Sequence, residues 1–154
     1  MAVQEVFTGL AHSPTQNDER EIEPVVGDIR KDWDSVRPCI EWILQNQPQL
    51  SFRPEDVYAE IVSGHAVYWK SVDGFVVTTV EVDGFTSKKT LHCWLAWSEQ
   101  RGQKTVLKHY PFFQRVAADA GMEALEVRTP HSGMEQVLLD AGWKLDTVVY
   151  RLEV

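Results

Sequence analysis

Four side chains on the strand-like segments of this sequence could take up a proton during a reaction. They are Glu81, His92, Glu99 and Glu126. A carboxylate or an imidazole within reach of a substrate is the usual general base of an enzyme. Each of the four alternates with apolar neighbours, however, which is typical of the solvent-facing side of a strand. The sequence therefore singles out no catalytic residue.

Nucleophilic and metal chemistry have weaker support. Cys93 lies between His92 and Trp94 in a predicted strand, where a free cysteine usually packs as a small apolar side chain. The histidines lack the spacing of metal ligands; they are His12, His65, His92, His109 and His131. Cys39 is the other cysteine, so we expect synthesis in a reducing cytoplasm rather than a disulfide framework. We predict no metal site.

The charge of the chain argues against two classes of partner. The 154 residues carry a formal net charge of -8 and contain no basic run. Nucleic-acid binding and attraction to a membrane surface both depend on clustered lysine and arginine. The apolar stretches are of strand length, and no signal peptide or spanning helix is visible. We therefore expect neither nucleic acid nor a membrane as partner.

The beginning of the chain differs from the rest. Residues 1–24 are polar, contain two prolines and show no periodicity. Such a composition does not support a packed core. We interpret residues 1–24 as an extended arm in front of a single domain, 25–154. Two placements of the arm stay open, against its own domain or on a neighbouring subunit.

The domain is predicted to begin with a short strand and two helices. Residues 25–29 could form the strand, and Asp34 can cap the first helix, with Pro38 in or near its first turn. The apolar face of that helix comprises Val36, Ile40, Ile43 and Leu44. A second helix is predicted from Pro54 to a C-terminal glycine, Gly64.

Three strands are predicted next, over residues 66–72, 75–82 and 90–97. They are rich in β-branched and aromatic residues, as a half-buried sheet prefers. Asp73-Gly74 separates the first two and is a strong hairpin signal. These strands are therefore expected to be antiparallel.

The final third alternates helix and strand. A helix is predicted within 103–120, a short strand over 124–127 and a closing strand over 144–154. Ser132 and Glu135 have capping-box spacing at the start of the last helix. The expected fold class is mixed α/β (α+β), with a mostly antiparallel sheet flanked by about four helices.

This order resembles that of the GNAT superfamily of acetyl-CoA-dependent N-acetyltransferases. The resemblance covers 25–154 at the level of elements, and Ala141-Gly142-Trp143 is similar to the Leu-Gly-Phe that closes the fourth helix of that family. More narrowly, Gly64–Trp69 and the helix end at 116–121 resemble GNAT-like proteins encoded among the virion genes of tailed bacteriophages. The resemblance implies acetyl-CoA as cofactor in active members.

The cofactor loop implied by the resemblance is altered here. Active members hold the pyrophosphate of acetyl-CoA on backbone amides of a glycine-containing loop at a helix N-terminus. The matching stretch is 100–106, in which Lys104 and Val106 stand where small residues are expected. Pro111 further requires the following helix to start late or to bend.

If acetyl-CoA does bind, the resemblance assigns its contacts to Trp97, Arg101, Gly102, Gln103 and Lys104. Many members place a tyrosine in the fourth helix to protonate the departing thiolate. The helix here has no tyrosine, and Leu138 aligns with that position. Some active relatives also lack it, so its loss weakens the case for an enzyme without ending it.

Trp94 and Trp97 have opposite parity on one predicted strand. Both can face a core only if the sheet is covered on both sides or is bulged there. We therefore expect one of them to be exposed and available to a protein partner.

Three functions are compatible with these observations. One is an active N-acetyltransferase, and another is an acidic adaptor or inhibitor of a host enzyme. The function that we favour is a catalytically degenerate GNAT-fold protein that serves as a structural or assembly component of a bacteriophage virion. Its partners would be other subunits bound through residues 1–24, without a cofactor.

Overall fold

A computed structural model describes residues 23–99, 108–129 and 133–154 of the chain. In chain order the elements are β1 (Val25–Val26), α1 (Ile29–Asn46), α2 (Pro54–Val62), β2 (Ala66–Lys70), β3 (Gly74–Val82), β4 (Lys89–Ser98), α3 (Tyr110–Asp119), β5 (Ala124–Val127) and α4 (Gly133–Asp140). None of the helices in these ranges is long and apolar enough to cross a bilayer.

The start of α1 differs from the prediction. Asp28, not Asp34, is the N-terminal cap, and its side chain accepts a hydrogen bond of 3.0 Å from the backbone N–H of Arg30. Pro38 consequently lies in the interior of the helix rather than near its first turn. Two aspartates near a helix start both satisfy the capping preference, and the earlier one is used here. The predicted apolar face of the helix is confirmed, since Val36, Ile40 and Ile43 are buried.

The second helix matches its prediction closely. It begins at Pro54, buries Val57 and Ile61, and is followed by Gly64 at a φ of 81°. That left-handed conformation strongly favours glycine, which explains why the helix ends there.

Five strands form one sheet in the order β1-β2-β3-β4-β5. The first three pairings are antiparallel, and only β4 and β5 are parallel. With the helices, this arrangement confirms the predicted mixed fold with a mostly antiparallel sheet. The β2–β3 hairpin is also confirmed, but Gly74 serves a different purpose from a tight turn. A Cβ there would lie 1.9 Å from the carbonyl oxygen of Trp97, so glycine permits the close approach of β3 and β4.

Two hydrophobic clusters cover the two faces of the sheet. The first packs α1 and α2 against the sheet around Ile40, Val57 and Val77. The second packs α3 against the opposite face around Leu91 and Phe113. The sheet is therefore buried on both sides over most of β2, β3 and β4.

The C-terminal segment is not the strand that the sequence predicts. Residues 143–154 follow α4 without regular secondary structure, and apolar side chains along this stretch stay exposed. Gly142, at a φ of 89°, ends the helix as expected. The strand pattern at 144–154 is present, but a strand needs a neighbouring strand to pair with, and no pairing is formed here.

Most of the predicted arm, residues 1–22, lies outside the described residues, as does Ser132 of the predicted capping box. The last two residues of the arm are described. Pro24 is buried, and the carboxylate of Glu23 forms an ion pair with Arg115 on α3. The end of the arm therefore contacts its own domain.

Candidate functional site

The parallel pairing of β4 with β5 is short. It runs from Thr90 and Ala124 to Cys93 and Val127, after which β5 ends while β4 continues to Ser98. Within the described residues, the second half of β4 pairs only with β3. The β4–β5 pairing therefore ends at Cys93, and beyond it no described residue pairs with the edge of β4 that faces away from β3.

A bulge in β4 lies at the end of this pairing. Cys93 pairs with Thr78 and Leu95 with Val77, so Trp94 is the extra residue of the bulge. A hydrogen bond of 2.8 Å from Nε1 of Trp69 to Oγ1 of Thr78 ties β2 to β3 beside it. The bulge reverses the alternation of side chains along the second half of β4.

This reversal explains the placement of both tryptophans. The ring of Trp94 packs at a tilt against Phe52, with 5.0 Å between ring centroids, and the ring of Trp97 packs edge-on against Trp42 at 5.1 Å. Both are half-buried against the cluster formed with α1 and α2. This differs from the expected exposed tryptophan, since the bulge turns both side chains toward the same helices.

The register brings three of the four candidate bases together. His92 pairs with Glu126 on β5, and Glu81 lies on the adjacent strand β3. Their ligand atoms all lie within 4.8 Å of one another. Because Leu91 packs toward α3, alternation places His92 on the opposite face, the side of α1 and α2. Glu99 is not part of the group; its backbone N–H donates to the carbonyl of Asp73 near the β2–β3 turn.

Arg128, which the sequence interpretation missed, completes this cluster. Its Nη2 atom lies 2.6 Å from Oε2 of Glu81 and 2.8 Å from Oε1 of Glu126. Its position two residues after Glu126, on the same side of the strand, is the signal that could have revealed it. We call these four residues, Glu81, His92, Glu126 and Arg128, the His92 cluster.

His92 is held in its neutral form. The residue is 7% exposed, and burial, followed by the charge of Arg128, lowers the pKa of its imidazole, while Glu81 and Glu126 raise it by less. Its Nδ1 atom lies 3.4 Å from Oε1 of Glu126 and has no hydrogen-bond partner in the described part of the chain. Because a carboxylate oxygen faces Nδ1, the neutral ring is expected to carry its proton there, which leaves Nε2 as the nitrogen that could accept a proton.

The spacing within the cluster would also suit a metal ion, but its charges do not. Two carboxylates and an imidazole are a common donor set. Here, however, the guanidinium of Arg128 bridges both carboxylates and so stands where a cation would bind. We interpret the cluster as an ion-pair network with a buried base, and assign it no metal.

Cys93 is adjacent to His92 in sequence but is not a nucleophile at neutral pH. Burial raises the pKa of its thiol to about 12, and only the thiolate reacts readily. The sequence-based interpretation of Cys93 as a packing residue agrees with this environment.

The first turn of α3 offers little to a phosphate. Tyr110, Pro111, Phe112 and Phe113 form its first turn. Pro111 has no N–H, and Phe113 is 2% exposed, with its N–H donated to the carbonyl of His109. Lys108 is helical and His109 forms a turn, so the helical path is interrupted just before α3, whose first turn carries bulky side chains. The predicted contacts Arg101, Gly102, Gln103 and Lys104 lie outside the described residues, while Trp97 is placed as above.

The fourth helix carries no acid at the aligned position. Leu138 is partly buried, and its carbonyl accepts hydrogen bonds from the N–H groups of Ala141 and Trp143 at the helix end. Trp143 stacks edge-on against Tyr110 at 5.9 Å between ring centroids. The Ala-Gly-Trp sequence thus closes α4 against the start of α3.

Solved acetyltransferases have the same fold. No known family profile matches the sequence, and no curated protein sequence matches it. A possible acetyltransferase from Clostridium difficile 630 superposes with a TM-score of 0.67 at 11% identity, over 88% of this chain and 99% of the other. A putative acetyltransferase from Pyrococcus furiosus gives 0.65 at 11% identity, over 86% and 100%. A ribosomal-protein-alanine N-acetyltransferase from Brucella melitensis biovar Abortus 2308 gives 0.61 at 15% identity, over 86% and 100%.

These superpositions span nearly the whole of each neighbour at identities of 11–15%. At such identities a shared backbone shows the fold alone, since one fold hosts many functions. The chain therefore has the GNAT fold that its sequence predicts. What it does has to be argued from its own residues.

Proposed function

We propose that this chain is a GNAT-fold protein that does not transfer acetyl groups and that serves as a structural or assembly component. The observation that carries this proposal is the first turn of α3. In a cofactor-binding member, the helix that follows the fourth strand presents free amides and small residues to a pyrophosphate; the resemblance places that loop at 100–106, outside the described residues and just before α3. Here the turn contains Pro111 and three packed aromatic residues.

The physical objection to a cofactor at this turn has two parts. Proline removes one of the few amides that a helix N-terminus can offer to an anion. The ring of Phe113 is buried in the hydrophobic cluster between α3 and the sheet, and the ring of Phe112 packs edge-on against Trp69 with 5.6 Å between ring centroids. Neither side chain can therefore move away without opening the core. The first turn of α3 does not fit the pyrophosphate of acetyl-CoA, the loop at 100–106 lies outside the described residues, and we derive no reaction step through the cofactor.

The proposal that the protein binds other subunits rests on the arm and on the sequence resemblance. Residues 1–24 form a polar segment with no core of its own, which suits a tether to another subunit, with Glu23 and Pro24 fixing its base to the domain. The resemblance to bacteriophage proteins makes a virion the proposed assembly. In that case the protein is made in the host cytoplasm and then enters the particle.

The alternative is an acetyl-CoA-dependent N-acyltransferase, and the His92 cluster favours it. A neutral, buried imidazole lies one residue before Cys93, where the β4–β5 pairing ends. There it could accept the proton of an acceptor amine, with Glu126 stabilising the imidazolium that results. Nothing comparable in the described residues would hold the cofactor.

The deciding experiment is acetyl-CoA binding to the full-length protein, measured by calorimetry up to millimolar concentration. We expect no saturable binding. Micromolar binding that is lost in the double variant Arg101→Ala/Lys104→Ala would overturn the proposal, and His92→Gln should then abolish turnover while leaving binding intact. The matched control is Arg30→Ala/Lys31→Ala, two exposed cations at the start of α1.

A further inference from the structure

Three side chains of the His92 cluster have the composition of a transition-metal site. Glu81, His92 and Glu126 each present one ligand atom, and the three atoms lie within 4.8 Å of one another. The part of the chain that the structure describes contains no other such group of three. An imidazole with two carboxylates suits Zn²⁺ or Co²⁺, whereas Mg²⁺ and Ca²⁺ prefer oxygen ligands alone. The three side chains therefore select one class of ion.

Two of the three ligand atoms already have the spacing of a bound ion. The Nδ1 atom of His92 lies 3.4 Å from Oε1 of Glu126, and two ligands of one tetrahedral zinc ion are separated by roughly 3.4 Å. The side chain of His92 is only 9% exposed, and its Nδ1 has no hydrogen-bond partner among the described residues. The side chain of Glu81 is 43% exposed and has room to approach them. A buried imidazole that faces a carboxylate in this way points to a ligand independently of the charges.

Arg128 takes the place of the ion between the two carboxylates. A single nitrogen, Nη2, lies 2.6 Å from Oε2 of Glu81 and 2.8 Å from Oε1 of Glu126. The same oxygen of Glu126 faces His92. An ion bound between His92 and Glu126 would need this oxygen and would be repelled by the guanidinium. The site therefore has room for one of the two cations at a time.

The guanidinium differs from a bound ion in being part of the chain. Arg128 directly follows β5, and its side chain is 62% exposed, so it can turn toward solvent only by giving up both ion pairs. Arginine does not lose its proton in proteins, so this cation is present at every physiological pH. The carboxylates are thus neutralised without any ion from solution.

We propose that Arg128 is a built-in substitute for a divalent ion and that it closes a latent Zn²⁺ site formed by Glu81, His92 and Glu126. In the wild type it keeps transition-metal ions away from the buried imidazole. When the guanidinium is removed, the ion binds Nδ1 and the ring proton moves to Nε2, which gives the other neutral tautomer. The inference does not depend on the proposed function, because a structural protein and an enzyme would exclude the ion alike.

The test is Zn²⁺ binding to the full-length wild type and to Arg128→Gln, measured by calorimetry at neutral pH. We expect Arg128→Gln to bind Zn²⁺ at least about 100-fold more tightly than the wild type, because no fixed charge repels the ion. Co²⁺ added to the same variant should shift the ring resonances of His92. The gain should disappear in Arg128→Gln/His92→Gln, and it should be absent from Arg128→Lys, which keeps a cation at this position.

Arg37→Gln is the matched control. Arg37 also joins two glutamates, with Nε 3.1 Å from Oε1 of Glu41 and Nη2 2.7 Å from Oε1 of Glu55. Among the described residues, no histidine completes a group of three ligands with this pair. The variant should therefore bind Zn²⁺ no more tightly than the wild type, although it also loses an arginine that bridges two carboxylates.

Four results would overturn the proposal. Equal Zn²⁺ affinity of Arg128→Gln and the wild type would show that Arg128 does not close a site. An equal gain in Arg37→Gln would mean adventitious binding to exposed carboxylates only. A gain that persists without His92 would place the ion elsewhere, and a gain in Arg128→Lys would show that charge is not what excludes it.

The variants should fold, because the side chain of Arg128 is mostly exposed. An unchanged near-ultraviolet circular dichroism spectrum checks this. Arg128→Met keeps the aliphatic stem of the side chain and removes only its charge, so it serves as a second variant. It should gain the same Zn²⁺ affinity as Arg128→Gln, and a failure to do so would also contradict the proposal.

Discussion

The burial of His92 predicts how the stability of the protein depends on pH. The folded protein lowers the pKa of this imidazole, chiefly by burial and then by the charge of Arg128. The unfolded chain has no such environment, so its histidine binds a proton at about pH 6.5. Below that pH the unfolded state holds more protons than the folded state, and stability falls as the pH falls. The contribution of His92 is fully present above pH 6.5.

The size of the effect has a firm upper limit. Between pH 7.5 and 5.5, the proton stabilises the unfolded histidine by about 1.4 kcal/mol, which is one pKa unit. The folded state can offset this only if its own imidazole titrates in the same interval. For a domain of this size, the loss corresponds to a fall in melting temperature of about 3–6 °C.

The assay is urea unfolding at half-unit steps from pH 7.5 to 5.5, on the wild type and on His92→Gln. The difference between the two unfolding free energies should shrink as the pH falls, by up to about 1.4 kcal/mol. His65→Gln is the control for the removal of an exposed imidazole, because the side chain of His65 is 69% exposed. A difference that stays flat, or that grows toward low pH, would show that His92 is not held neutral, and would remove the basis for regarding it as a base.

Three further predictions follow from single features of the fold. Gly74→Ala should cost about 1–3 kcal/mol in chemical unfolding, since its Cβ meets the carbonyl oxygen of Trp97, whereas Gly84→Ala, with open space around it, should cost less than about 0.5 kcal/mol. In a Cys39→Ser background, Cys93 should react with a disulfide reagent at pH 7 far more slowly in the native protein than in urea; equally fast modification of the native protein would contradict its raised pKa. Removal of residues 1–22 should leave the melting temperature within about 2 °C but abolish binding to the proposed partner subunits, and an unfolded product would show that the arm belongs to the core.

Local signals in the sequence predicted most of the fold. Periodicity and turn residues located the first two helices and the β2–β3 hairpin, because each depends on neighbours a few residues away. The exact start of α1 was missed because Asp28 and Asp34 are chemically equivalent caps, and only tertiary packing selects between them. The strand at 144–154 was predicted from alternation, which reports a tendency to pair but not whether a partner is present.

The candidate site was harder to predict because its geometry depends on strand register. In the sequence, Glu81, His92 and Glu126 are all candidate bases, but each alternates with apolar neighbours, as a solvent-facing strand residue does. Their proximity follows from the pairing of β4 with its neighbour β3 and with β5, which comes only after residues 99–123. The role of the bulge at Trp94 is of the same kind, since a single extra residue changes which face every later side chain occupies.

The connections of the sheet also fix the order in which it can assemble during folding. β2, β3 and β4 are joined through residues 71–73 and 83–88, whereas β4 reaches β5 only through residues 99–123. Closing a longer loop costs more chain entropy, so the antiparallel meander should form early and the β4–β5 ladder late. During folding, His92 would then lie in an incomplete sheet until β5 brings Glu126 and Arg128 beside it. The His92 cluster would therefore be among the last parts of the molecule to form. On a ribosome, the meander could fold before the strand that completes the cluster has been synthesised.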